Sequence, residues 1–134
     1  MKKDITIPEV KDVFVAAVYA YNPAFKANEW NVYLINNQHE AIETVLVVSK
    51  GKSKTKSTSV LRKKLDVLPA KSYAKLEFIQ DEVLALENQF QVSFFQGNQL
   101  LDKIFTFKPK QIHEKNLTEV PLLSDKGVLA NSVF

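Results

Sequence analysis

Cysteine is absent from the 134 residues, glycine occurs three times, histidine twice, and Arg62 is the single arginine. Without cysteine the chain has no disulfide, no thiolate metal site and no thiol nucleophile, which suits a reducing cytoplasm. Gly51, Gly97 and Gly127 stand far apart, so no glycine-rich phosphate loop can form. Ser49, Ser53, Ser57 and Ser59 cluster, yet none sits in the G-x-S-x-G turn that exposes a serine nucleophile. The longest apolar run, Val13 to Tyr21, is about half the roughly 20 residues that a membrane-spanning helix requires. The opening MKKDITIPEV has two lysines but no apolar stretch of signal-peptide length. A cytoplasmic protein without a membrane partner is expected.

What is present is ordinary globular material. Hydrophobic residues make up 46% and charged residues 25% of the chain, enough to bury one core in one domain. The apolar residues fall into short β-branched and aromatic runs separated by polar loops. From Val10 to Tyr21 both a period of two and a helical spacing fit, and enrichment in valine, phenylalanine and tyrosine favours a strand. Further strands are predicted at Trp30–Asn36, Ile42–Ser49, Lys54–Arg62 and Ser72–Ile79. In the last, Ala74, Leu76 and Phe78 would face one way and Lys75 and Glu77 the other. One turn of helix fits DEVLALEN. Gly97-Asn98 then separates ENQFQVSFFQ from QLLDKIFTFK, and glycine at the first turn position predicts a type II′ hairpin with Phe90 opposite Phe105 and Phe94 opposite Leu101.

Seven strands with short connections predict an all-β antiparallel sandwich of immunoglobulin-like, fibronectin type III-like kind over residues 1–108. Residues 109–134 would form an arm that packs on the domain or on a partner. Phe95, Leu100 and Ile104 lie on the opposite hairpin face from Phe94 and Phe105, and either that arm or a partner is expected to cover them.

Positive charge is concentrated. Lys50, Lys52, Lys54, Lys56, Arg62, Lys63 and Lys64 place +7 between positions 50 and 64 with no acid among them, in a chain whose net charge is +3, so the remainder carries −4. Such a patch is a candidate anion or nucleic-acid surface, with a log-log salt slope of about −6 if all seven met duplex phosphates. It lacks the aromatics that stack bases, and lysines along a strand also discourage unwanted edge pairing. The second role is preferred here. His39 and His113, each beside a glutamate, lack the HExxH spacing and read as surface residues rather than ligands. Asp81-Glu82 reads as a polar bend, and Glu40, Glu43, Glu77 and Glu87 show no pairing of the kind acid–base catalysis needs. No catalytic, cofactor-binding or metal site is therefore assigned.

The phrase VYLINN, the apolar strand after it and LPAKSY resemble bacterial adhesion-type and chaperone-type sandwich modules over roughly residues 30–108. More specifically, WNVYLINNQHEAIETVLVVSKG and LPAKSYAKLEFI resemble a group of short, uncharacterised bacterial proteins, some labelled phenylalanyl-tRNA synthetase alpha subunit. That label implies an ATP-dependent ligase, whereas the chain has one arginine where ATP-gripping motif arginines would be needed. It is also far too short to be a catalytic subunit. The resemblance then implies an accessory role near RNA. The leading expectation is a non-enzymatic interaction module, self-associating through an edge strand or the arm. The alternative is an RNA- or tRNA-associated accessory domain that uses the lysine run.

Overall fold

A computed structural model describes residues 10–55 and 60–133. Nine strands run in chain order: β1 (Val13–Asn22), β2 (Ala27–Asn36), β3 (Ile42–Lys52), β4 (Leu61–Leu68), β5 (Ser72–Ile79), β6 (Glu87–Gln96), β7 (Gln99–Phe107), β8 (Gly127–Leu129) and β9 (Asn131–Val133). They form two antiparallel sheets, ordered β5-β2-β1-β8 and β4-β3-β6-β7-β9. The inward rows close over one core: Val13, Val15 and Val32 from the first sheet meet Val45, Phe90 and Phe105 from the second. This is a two-layer β-sandwich, because each sheet has one apolar face that must leave water.

The β6–β7 hairpin has the expected register, Phe90 opposite Phe105 and Phe94 opposite Leu101. Gly97 takes a φ of +62° at the first turn position, the left-handed conformation a type II′ turn requires. The turn of helix expected after β5 is a single 3-10 turn, Asp81–Val83.

Three local expectations are corrected. The fourth strand does not occupy Lys54–Arg62: Lys54 and Thr55 lie in a bend, 56–59 lie outside the described residues, and the strand is Leu61–Leu68. The serine- and threonine-rich stretch has almost nothing to bury, whereas Leu65 and Leu68 pack on the core side of β3. The alternation in β5 is also broken. Register slips between Val32 and Tyr33, so Lys75 pairs with Tyr33, Glu77 with Val32, and Leu76 is the extra residue. A bulge of this kind turns the following side chains over. Glu77 therefore joins the inward row with Ile79, and Phe78 points out, 50% exposed.

The third correction concerns residues after β7. Strand β8 extends the first sheet beside β1, and β9 extends the second beside β7. Val120, Leu123 and Leu129 cover the outer face of β1 and β2, making a second apolar cluster with Ala16, Val18 and Ile35. The arm does not cover the other hairpin face, where Phe95 is 41% and Leu100 60% exposed. Strand β1 is thus buried on both faces, which is why its sequence satisfied two periodicities.

Candidate functional site: an open side between two strand edges

On one side of the sandwich the short strands β8 and β9 lie along the outer edges of β1 and β7. Along the other, no strand among the described residues pairs with the outer edge of β4 or β5. These two edges run side by side and diverge like a wedge. Their joined end is pinned by Asn36, fully buried, whose Nδ2 donates to the carbonyls of Glu40 (2.9 Å), Leu68 (3.2 Å) and Pro69 (3.0 Å). Lys71 adds a second tie, its Nζ donating to the Asn37 carbonyl at 2.8 Å. Midway, the Lys63 ammonium spans the gap and donates to the Lys75 carbonyl at 2.9 Å.

Beyond Lys63 the wedge opens into a cleft of about 530 Å3 between the ends of β3, β4 and β5 and the start of β6. Leu61, Phe78, Ile79, Val83 and Phe90 give it an apolar lining, and Lys50, Glu77 and Glu82 border it. A narrower extension of about 190 Å3 continues toward Lys63 past Leu76 and Val47. The two share Ser49, Leu61, Glu77 and Phe90, so they form one continuous groove.

Glu77 is the polar feature of its wall. Burial away from water pushes its carboxyl above the ordinary glutamate value of 4.5, against a smaller opposing effect from the Ser49 hydroxyl, which hydrogen-bonds the carboxylate. Neither residue was singled out together with the other in the sequence. A carboxylate between Leu76 and Phe78 reads as the solvent side of an alternating strand, and only the bulge reverses it.

The basic run does not converge on one spot. Lys63 pairs opposite buried Val47 and lies in the inward row, at the gap. Arg62 and Lys64 pair opposite Val48 and Leu46, on the outer face of the five-stranded sheet. Lys50 and Lys52 alternate with buried Ser49 and Gly51, so they share that outer face at the far end of β3. Lys52 sits 3.8 Å from Glu87 in an exposed ion pair, which contributes about 0–1 kcal/mol. Lys54 is exposed in the bend after β3, and Lys56 lies outside the described residues.

The remaining candidates are scattered. His39 is exposed in the turn between β2 and β3, and His113 Nδ1 accepts from the Lys115 amide at 3.0 Å at the start of a 3-10 turn. Among the described residues no group of three or more histidine, aspartate or glutamate side chains comes together in a metal-binding cluster. Asp81 and Glu82 form the 3-10 turn beside the cleft. Ser57 and Ser59 lie outside the described residues. No described helix is long and apolar enough to cross a membrane. No protein-family model, curated protein or solved structure matches this chain.

Proposed function

We propose that the chain is an immunoglobulin-like sandwich of fibronectin type III-like kind that serves as a non-enzymatic, cytoplasmic interaction module. The strand order supports the fold type. Counting β1 as strand A, the pairs β2–β5, β3–β6 and β6–β7 stand where the B–E, C–F and F–G pairs of immunoglobulin-like sandwiches stand. Strand β4 lies beside β3 rather than β5, which is the fibronectin type III variant of that order.

The observation that carries the functional reading is the juxtaposition of two strand edges, unpaired among the described residues, with an apolar cleft between them. Strand edges carry unpaired amide and carbonyl groups, and a cleft beside them supplies side-chain recognition. The arm is already engaged with β1 and β7, so the interaction is assigned to the β4/β5 side rather than to the arm. A photo-crosslinking amino acid placed at Leu61, in cells making the protein, should give a discrete adduct. The same group at Leu123, against the arm-covered face, should not. Indistinguishable patterns from the two positions would remove the reading. Light scattering from the purified chain reports whether the adduct partner is a second copy.

The second reading, an RNA- or tRNA-associated accessory domain, draws on one observation: Lys50, Lys52, Arg62 and Lys64 share the outer face of β3 and β4. Four rather than seven engaged charges lower the expected log-log salt slope to about −4 on duplex phosphates. A filter-binding titration with mixed tRNA from 50 to 300 mM salt measures it. No binding at the low end rules this reading out.

A further inference from the structure

We propose that the open end of the β4/β5 wedge takes an extended segment of a partner protein in which acidic and apolar residues alternate, added as an antiparallel strand to β4. The proposal rests on the reading of this side as the interaction surface and adds the chemistry of the occupant.

Side chains of an added strand alternate between the two faces of the sheet, in step with those of the strand they join. On β4 the two rows differ in kind. Leu61 faces the cleft, whose wall continues with Leu76, Ile79 and Phe90, and Lys63, the next inward residue, reaches the Lys75 carbonyl. Arg62 and Lys64 face outward, with Lys50 on the neighbouring strand. An incoming strand therefore meets a mainly apolar wall with one lysine on one side and a row of basic side chains on the other. Apolar residues satisfy the first row and glutamate or aspartate the second.

The placement of Glu77 sharpens the pattern. Its carboxyl lies on the cleft wall, and Glu82 stands at the rim, so an acidic side chain pointing into the cleft beside them would meet like charge. Acidic residues are better placed in the outward row.

A second copy of the chain is a poor occupant of this edge. In an antiparallel pair of β4 strands centred on Lys63, Arg62 opposes Lys64 and Lys63 opposes its own counterpart, and directly opposed like charges destabilise a sheet. The basic side chains at this end of the edge thus disfavour self-pairing in that register and favour an acidic guest. Seating the guest replaces the Lys63–Lys75 contact that now spans the gap.

The test uses four probes in fluorescence anisotropy: a labelled eight-residue peptide alternating glutamate and valine, its lysine–valine counterpart, a peptide with the four glutamates and four valines in two blocks, and an oligouridine. The alternating acidic peptide should bind at least ten-fold more tightly than the other three, more weakly as salt rises. The exposed double variant R62E/K64E should lose that peptide at least ten-fold and gain the lysine–valine one, a reversal that unfolding cannot produce. Equal binding of the acidic and basic peptides, or an unchanged profile in R62E/K64E, overturns the proposal. So does oligouridine binding without peptide binding. If crosslinks at Leu61 persist while no acidic peptide binds, only the chemistry of the guest is wrong. If both fail, the assignment of this side as an interface falls with it.

Discussion

Glu77 and Asn36 show how single side chains set the properties of the open side. Burial holds the Glu77 carboxyl above its ordinary value, so the folded state binds a proton more readily than the unfolded chain does. By linkage, this group's favourable contribution is complete below the unfolded value near 4.5 and is lost as pH rises through the folded value. Glu77→Gln keeps a partner for the Ser49 hydroxyl and removes the buried charge. Thermal melts should show the variant more stable than the native protein at pH 7, with the gain shrinking toward zero below pH 4.5. A gain that is equal at both pH values would mean that ionisation is not its cause. Asn36 works in the opposite sense, since three backbone carbonyls depend on its amide. Asn36→Ala should cost about 1–3 kcal/mol in urea unfolding, the range for leaving buried polar groups unsatisfied. Asn36→Asp should cost more, because it aims a carboxylate at those carbonyls. Sequence does mark position 36 as a turn former, but nothing in it says that the amide reaches residues 68 and 69.

Among the elements, β8 depends on close approach. A Cβ on Gly127 would run into the Ala17 carbonyl oxygen and lie 3.0 Å from Val18 Cα, both backbone atoms that cannot swing aside. Gly127→Ala should push β8 off β1 and cost about 1–3 kcal/mol, the range for overpacking. Hydrogen exchange at Tyr19, whose amide bonds the Lys126 carbonyl at 3.1 Å, checks the mechanism. That amide should exchange faster in the variant while the β6–β7 hairpin keeps its protection. The elements also show where pattern reading succeeds. The hairpin was legible to the residue because glycine chemistry and two apolar rows agree at every position. Strand β4 was misplaced because alternating lysine with serine and threonine imitates an exposed edge without offering anything to pack. The β5 faces were misread after Lys75 because a bulge is decided by the partner strand, here at Val32 and Tyr33, and leaves no mark in the β5 residues themselves.

For the molecule as a whole, residues 117–133 distribute exposure unequally. They line one side of the sandwich and cover one outer sheet face, leaving the other face and the β4/β5 side open. Truncation after residue 116 should uncover Ala16, Val18 and Ile35 along with the edges of β1 and β7. An apolar face joined to unpaired edges promotes association. Light scattering should therefore show concentration-dependent assembly of the truncated chain at salt and pH where the full chain shows less. Equal behaviour would mean that the arm is not a protective cover. The same global view explains the basic run. Period-two geometry sends Lys63 inward and Arg62 and Lys64 outward, so a compact cluster in sequence becomes a gap-spanning lysine and a separate outer row.

Composition and periodicity alone determined the all-β character, the hairpin with its register and the excess of positive charge between residues 50 and 64. Each of these is a local property: backbone preference, alternation and charge are carried by neighbours in the chain. The tertiary structure decided that Glu77 faces a cleft, that the arm covers β1 rather than the Phe95 face, and that β4 and β5 end their sheets on the side away from the arm. Those outcomes depend on which distant strand lies alongside, a competition for edges and apolar faces that residues far apart in sequence settle together.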